Sequence, residues 1–187
     1  MSSTLQLHRL EVAAGELVSR RGPLVAYDVA AASVTFSALG EVAAERAGTL
    51  LVWSLVPRPD AGAVLAADVA NAGAGSLIRC DRVDFPEDGV AFLHTHQGPG
   101  IRCLLEGRFA VEAGGRRQEV ERFGAWFESG PEPVYAEVLG GEPAAFVRVM
   151  VLPARLIGTS SIRYVLDEDQ ARPKSQRYTV YVDELLT

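Results

Sequence analysis

"GVAFLHTHQGPGIRCLLEGRFAV", residues 89–111, decides the fold. Its histidines His94 and His96 stand two apart, and in an extended strand positions i and i+2 project from one face. Thr95 points the other way. Gly98-Pro99-Gly100 then bends the chain, and a second apolar strand runs to the turn at "EGR" (106–108). Reading outward, "IRCLLEGRFAVEAGGRRQEVERFGAWFESGP" (101–131) gives strand, turn, strand, turn, strand, with Gly114-Gly115 supplying positive φ. Upstream, "SLIRCDRVDFP" (76–86) alternates Leu77, Arg79 and Asp81 against Ile78, Cys80 and Arg82, and stops at Pro86. Downstream, "PVYAEVLGGEPAAFVRVMVLP" (133–153) gives two more strands around "GGEP". Strands of roughly five to eight residues with a turn about every ten describe an all-β barrel or sandwich.

The flanks are plainer. "PLVAYDV" (23–29) and "SVTFSAL" (33–39) read as short strands, and "TLLVWSLVP" (49–57) as a buried strand ending at Pro57. "EVAAERAG" (41–48) is too short for a helix. The Ala- and Gly-rich segment 58–76 reads as a loop with a helical turn or two. His8, in a stretch without pattern, is expected at the surface. In the tail, "IRYVL" (162–166) is a strand and "DEDQARPKSQ" (167–176) a solvated linker. "RYTVYVDEL" (177–185) is an edge strand or an arm onto a partner subunit. One structural domain is expected, with an N-terminal extension (1–75) packing on a barrel core (76–153) and a C-terminal tail (154–187).

Composition narrows the functional classes. The chain has 187 residues and a net charge of −6, which disfavours a nucleic-acid partner bound through a broad basic surface. Its cations are almost all arginine; Lys174 is the single lysine. No segment approaches the roughly 20 apolar residues of a membrane span, and residues 1–16 lack the apolar run of a secretory signal. A cytoplasmic protein with Cys80 and Cys103 reduced is expected.

The two stretches 89–111 and "FGAWFESGPEPVYAEV" (123–138) resemble the paired motifs of the cupin superfamily, small antiparallel barrels of jelly-roll type. Gly89, His94, His96 and Gly107 match the first motif. Gly100 stands where that motif carries a glutamate. Val134 stands near the histidine of the second motif. The resemblance covers about residues 76–153. It implies a cupin-type jelly-roll barrel with an N-terminal strand extension, a divalent metal inside the barrel, and a homodimer. Two of the four usual ligands are absent here.

The residues themselves leave the chemistry open. Two imidazoles facing a barrel interior need partners, and either a metal or a hydrogen-bonded polar cluster supplies them. Fe, Mn, Zn or Ni are the candidate ions. Two histidines hold a metal poorly, but two histidines and a carboxylate suit non-haem iron. Glu128 could supply the carboxylate or act as acid/base. Gln97 could ligate if the chain bends, and Tyr135 could ligate or move a proton. Arg102, if inward, would orient an acidic or enolic substrate oxygen. Trp126 and Phe127 are core or cavity wall, and Cys103 is core. The leading expectation is a metal-dependent oxygenase, isomerase or cyclase acting on a small organic substrate. The alternatives are a non-catalytic small-molecule-binding barrel with a degenerate metal site, and a purely structural role.

Overall fold

A computed structural model describes residues 3–70 and 72–186, and its regular structure is almost all strand. The chain first builds an antiparallel sheet, β4–β3–β6–β1–β7. Its strands are β1 (Ser3–Val12), β3 (Leu24–Asp28), β4 (Ser33–Ser37), β6 (Gly48–Val56) and β7 (Leu65–Val69). A ribbon of β2 (Leu17–Ser19) and β5 (Glu41–Ala43) covers its far side.

Two further five-stranded sheets form the barrel. One, in the order β13–β10–β15–β8–β17, uses β8 (Ser76–Phe85), β10 (Gly100–Glu106), β13 (Ala125–Glu128), β15 (Ala144–Pro153) and β17 (Arg177–Leu185). The other, β12–β11–β14–β9–β16, uses β9 (Val90–His96), β11 (Arg108–Ala113), β12 (Arg116–Val120), β14 (Val134–Leu139) and β16 (Ile162–Tyr164). Gly107 sits between β10 and β11 at φ +74°, where an L side chain is strained and a Cβ would lie 2.6 Å from Pro143 O. Gly114 and Gly115 close the β11–β12 hairpin at φ +56° and +70°, the two-residue turn the sequence implied.

The β15 sheet is the middle of three layers. Its alternate residues Ile78, Cys80, Ile101, Cys103, Val147 and Val149 pack against Leu5, Leu7, Val25, Leu51 and Trp53 of the N-terminal sheet. The intervening Val83, Phe85, Leu104 and Phe146 pack inside the barrel against Phe109, Val111 and Ala136. Trp53 joins the layers directly, since its fully buried Nε1 donates to Ile101 O at 3.2 Å.

Three local expectations need correcting, and of the two readings offered for 177–185 the edge strand holds. Residues 65–69 are a strand, because β1 offers an open edge that hydrogen-bonds them (Ser3↔Val69 to Leu7↔Leu65) despite their weak β propensity. His8 is buried, since it shares with Gln6 the face of β1 turned away from the barrel, close to Asp60 and Arg20. Residues 167–176 are no free linker: they hold α1 (Asp167–Ala171), and Asp169 and Gln176 are buried. Residues 177–185 are an edge strand of the barrel itself, paired along β8. Cys80 and Cys103 are free and buried.

Trp53→Ala should lower stability by about 3–5 kcal/mol, because it removes a fully buried ring and its link between layers. Urea unfolding followed by circular dichroism measures this. A loss under about 1 kcal/mol would mean the layers are held together elsewhere.

Candidate metal and ligand site

Along the barrel axis the inward residues change character. Phe85, Phe109, Trp126 and Phe146 plug one end with contacting rings. Above them lies a polar layer. On one rung across β8, β15, β10 and β13, Asp81 pairs with Arg148, Arg148 with Arg102, and Arg102 with Trp126. Two arginines directly opposite each other repel. Each is offset by its own carboxylate. Arg148 grips Asp81 with Nε at 2.6 Å and Nη2 at 3.1 Å. Arg102 Nη2 lies 2.6 Å from Glu128 Oε2.

Glu128 brings a carboxylate to the histidines from a neighbouring strand. Gly100 and Glu128 are cross-strand partners. The space a side chain at 100 would need is taken: a Cβ there would lie 2.7 Å from Met150 Cγ and Val149 O, and 3.0 Å from Arg102 Nη1. Arg102 Nη1 also donates to Gly100 O at 2.6 Å. The guanidinium of Arg102 therefore fills the corner that a glutamate at 100 would occupy. Trp126 Nε1 donates to Glu128 Oε1 at 2.9 Å and orients the carboxyl group. Glu128 Oε2 touches Arg102 without hydrogen-bond alignment and has no aligned donor among the described residues.

His94 and His96 face this carboxylate as their spacing requires, with ring centroids 4.9 Å apart. His94 Nδ1 lies 2.7 Å from Phe92 O. A carbonyl only accepts, so Nδ1 carries the proton and Nε2 keeps its lone pair. His96 Nδ1 lies 3.2 Å from Ser161 Oγ, whose own hydroxyl donates to Met150 Sδ, giving the same tautomer. His96 Nε2 is 3.6 Å from Glu128 Oε2 and 3.5 Å from Arg148 Nη1. Burial pushes the His94 pKa down, partly opposed by the charge of Glu128. Burial, with the charges of Arg148 and Arg102, pushes His96 well below the ordinary range. Both rings are neutral near pH 7, as metal ligation requires. Arg102, fully buried, is lowered to about 10 by burial, against the pull of Glu128.

One ligand atom each from His94, His96 and Glu128 lies within 4.8 Å of the others. The donor set, its tautomers and its charge state fit a divalent ion of the two-histidine, one-carboxylate type. The cavity at this cluster holds only about 20 Å³, room for an ion or a water and not for an organic molecule.

The other expected site residues lie apart. Gln97 follows the strand alternation outward, and its Oε1 accepts from Arg163 Nη2 at 2.8 Å and Arg155 Nη2 at 3.3 Å near the surface. Tyr135 shares the outer phase of β14 with Glu137, to which its hydroxyl donates at 3.1 Å. Neither reaches the histidines. Asp81, Arg148, Ser161 and Tyr178 do reach the site, and sequence reading missed them. A signal existed for Arg148: one charge inside the apolar run "AAFVRVMVLP".

No family model and no curated protein matches the sequence. Among solved structures, a variant of oxalate decarboxylase from Bacillus subtilis superposes with a TM-score of 0.60 at 9% identity, over 91% of this chain and 74% of that one. A Cupin 2 conserved barrel domain protein from Leptotrichia buccalis gives 0.49 at 12% identity, over 80% and 84%. An oxalate oxidase structure gives 0.40 at 18%, over 47% of this chain, and the match spans about half (46%) of that chain. At these identities the likeness is one of fold. The architecture is that of the cupin barrels, as the motif spacing implied.

Two outcomes follow from this geometry. Gly100→Glu should not restore a ligand but should destabilise by about 1–3 kcal/mol through overpacking, read by thermal unfolding. In metal-free protein, histidines whose folded pKa is depressed are neutral in the fold, while in the unfolded chain they take protons near their ordinary 6.5. The unfolded state then binds more protons, so stability is full above about pH 6.5 and falls as pH drops below it. The double variant His94→Gln, His96→Gln should flatten that slope in a pH series of melting temperatures.

Proposed function

We propose that this barrel binds one divalent ion, of the Fe, Mn, Zn or Ni class, through His94, His96 and Glu128, and acts on a small organic acid. The observation that carries the reading is the convergence of the three donors, with each Nε2 lone pair freed by a hydrogen bond at the Nδ1 of the same ring. A bound ion would supply Lewis acidity or a site for dioxygen, which suits an enzyme of oxygenase, isomerase or cyclase type. In this reading Ser161 and the Phe92 carbonyl hold the imidazole tautomers, Trp126 orients Glu128 through Oε1, and Arg102 contacts Oε2, the oxygen that also faces His96. The aromatic plug below the polar layer keeps water from that end.

A second reading has its own support. Arg102 already provides Glu128 with a cation at 2.6 Å, so the cluster is charge-balanced as a closed polar network. This favours a non-catalytic, metal-free binding barrel.

Elemental analysis separates the two. Purified protein incubated with Fe, Mn, Zn and Ni and then desalted should hold about one ion per chain. His96→Ala and Glu128→Ala should each drop it below about 0.1, since three protein ligands are the working minimum. Wild-type protein that stays below about 0.1 ion per chain with every metal would leave the metal-free reading.

A further inference from the structure

The barrel mouth holds a second, far larger cavity, of about 660 Å³, within the range of small-molecule sites. Its floor is Arg79, Asp81 and Arg148, from the polar layer. Its walls come from the tail: Ser160, Ser161, Tyr164, Lys174 and Tyr178. Arg148 lines both this cavity and the small one at the histidines. A molecule in the outer cavity is thus separated from His96 by one guanidinium.

Charge selects what fits. The acidic groups of the lining are already neutralised. Asp183 is held by Arg79 Nε and Nη2, both at 2.9 Å, and by Gly158 N at 2.7 Å. Asp81 is held by two nitrogens of Arg148. Lys174 has no carboxylate partner among the described residues. Its ammonium donates to the carbonyls of Asp169, Gln170 and Arg172. Its charge is thus met by carbonyl dipoles and by no carboxylate, inside a protein of net charge −6. A cavity wall of opposite sign to the whole molecule concentrates anions there. The third nitrogen of Arg148, Nη1, has only the long 3.5 Å contact with His96 Nε2 and so keeps donor capacity.

Shape selects the rest. Lys174 Nζ stands 4.0 Å from the Tyr164 ring centroid, and the Arg148 guanidinium 5.6 Å from that of Tyr178. Each cation is backed by an aromatic face. The lining thus pairs a positive point with a flat apolar surface twice over. The Tyr164 phenol, pushed up to about 12 by burial, stays a neutral donor. We infer that the outer cavity is a binding site for a small monocarboxylic acid with a flat or cyclic apolar body. Its carboxylate meets Lys174 or Arg148, and its body lies on Tyr164 and Tyr178. The site is built from this chain's own tail and stands whether or not an ion occupies the histidines. It rests on the proposed function only in making the acid a substrate.

Isothermal titration on the full chain, metal-free and then metal-loaded, tests this with benzoate, phenylacetate and cyclohexanecarboxylate, using benzamide as the neutral control. At least one acid should bind saturably at one per chain, about ten-fold or more tighter than benzamide. Lys174→Gln and Tyr178→Leu should each weaken that acid about ten-fold. Both positions lie in the tail, and circular dichroism verifies that the variants fold. Arg148→Met with Asp81→Asn removes the floor pair together, so that no charge is left buried alone. The inference is overturned if none of the three acids saturates, if benzamide binds as tightly, or if all folded variants bind like the parent. Metal content is read on the same samples. Absence of acid binding in protein that carries its full complement of metal refutes the cavity and leaves the metal reading intact; acid binding by protein that takes up none of the four metals does the reverse.

Discussion

The structure turns on a sheet with no solvent face. The strands β8, β10 and β15 lie between the N-terminal sheet and the barrel interior, so both phases of their alternation must be buried. One phase is met by apolar packing against Leu5, Leu7, Val25 and Trp53. The other cannot be wholly apolar, because it also carries the site. The two demands are separated by parity. On β15, Val147, Val149 and Val151 face outward to the N-terminal layer, while Phe146, Arg148 and Met150 face in. A one-residue slip in register would exchange these sets and drive Arg148 into an apolar interface. The covering N-terminal sheet thus constrains which phase of β8, β10 and β15 faces the cavity.

The polar layer is held by pairing, since burial alone would expel it. Arg79, Arg102 and Arg148 are all buried, and each meets one carboxylate: Asp183, Glu128 and Asp81. Removing one partner from such a pair typically costs about 3–5 kcal/mol, because the other charge is left stranded. The layer is therefore mutually specifying. The position of Arg102 explains the glycine at 100, and that glycine in turn leaves the place that Glu128 fills from across the ladder.

The barrel was legible where turns and alternation were strong. His94 and His96 share a face because strand spacing compels it, and Gly107 and Gly114-Gly115 mark turns by their positive φ. Three kinds of feature were hidden. Strand β7 is Ala-rich and exists because β1 offers an edge, a tertiary cause with no local signature. Gln97 directly follows His96, and Tyr135 directly follows Val134, the ladder partner of His94; both stand one position out of phase, so each turns away from the histidines. Arg148 and Tyr178 come from strands far along the chain, and Asp81 from β8, the strand just before the histidines. Only the ladder brings them to the same layer, and no spacing rule in a single sequence encodes it.

The pairing of β8 carries a consequence for how the molecule is made. β8 is the first strand of the barrel to leave the ribosome, yet both its ladder partners, β15 and β17, are synthesised later. At ordinary elongation rates the nascent chain carries that strand with its last edge unpaired for on the order of ten seconds. During that interval the N-terminal sheet can form, but its apolar face around Trp53 is covered only as β8, β10 and β15 follow. The tail that walls the outer cavity also closes the final open edge of the barrel's first strand, so assembly of the fold and completion of that cavity are a single late event.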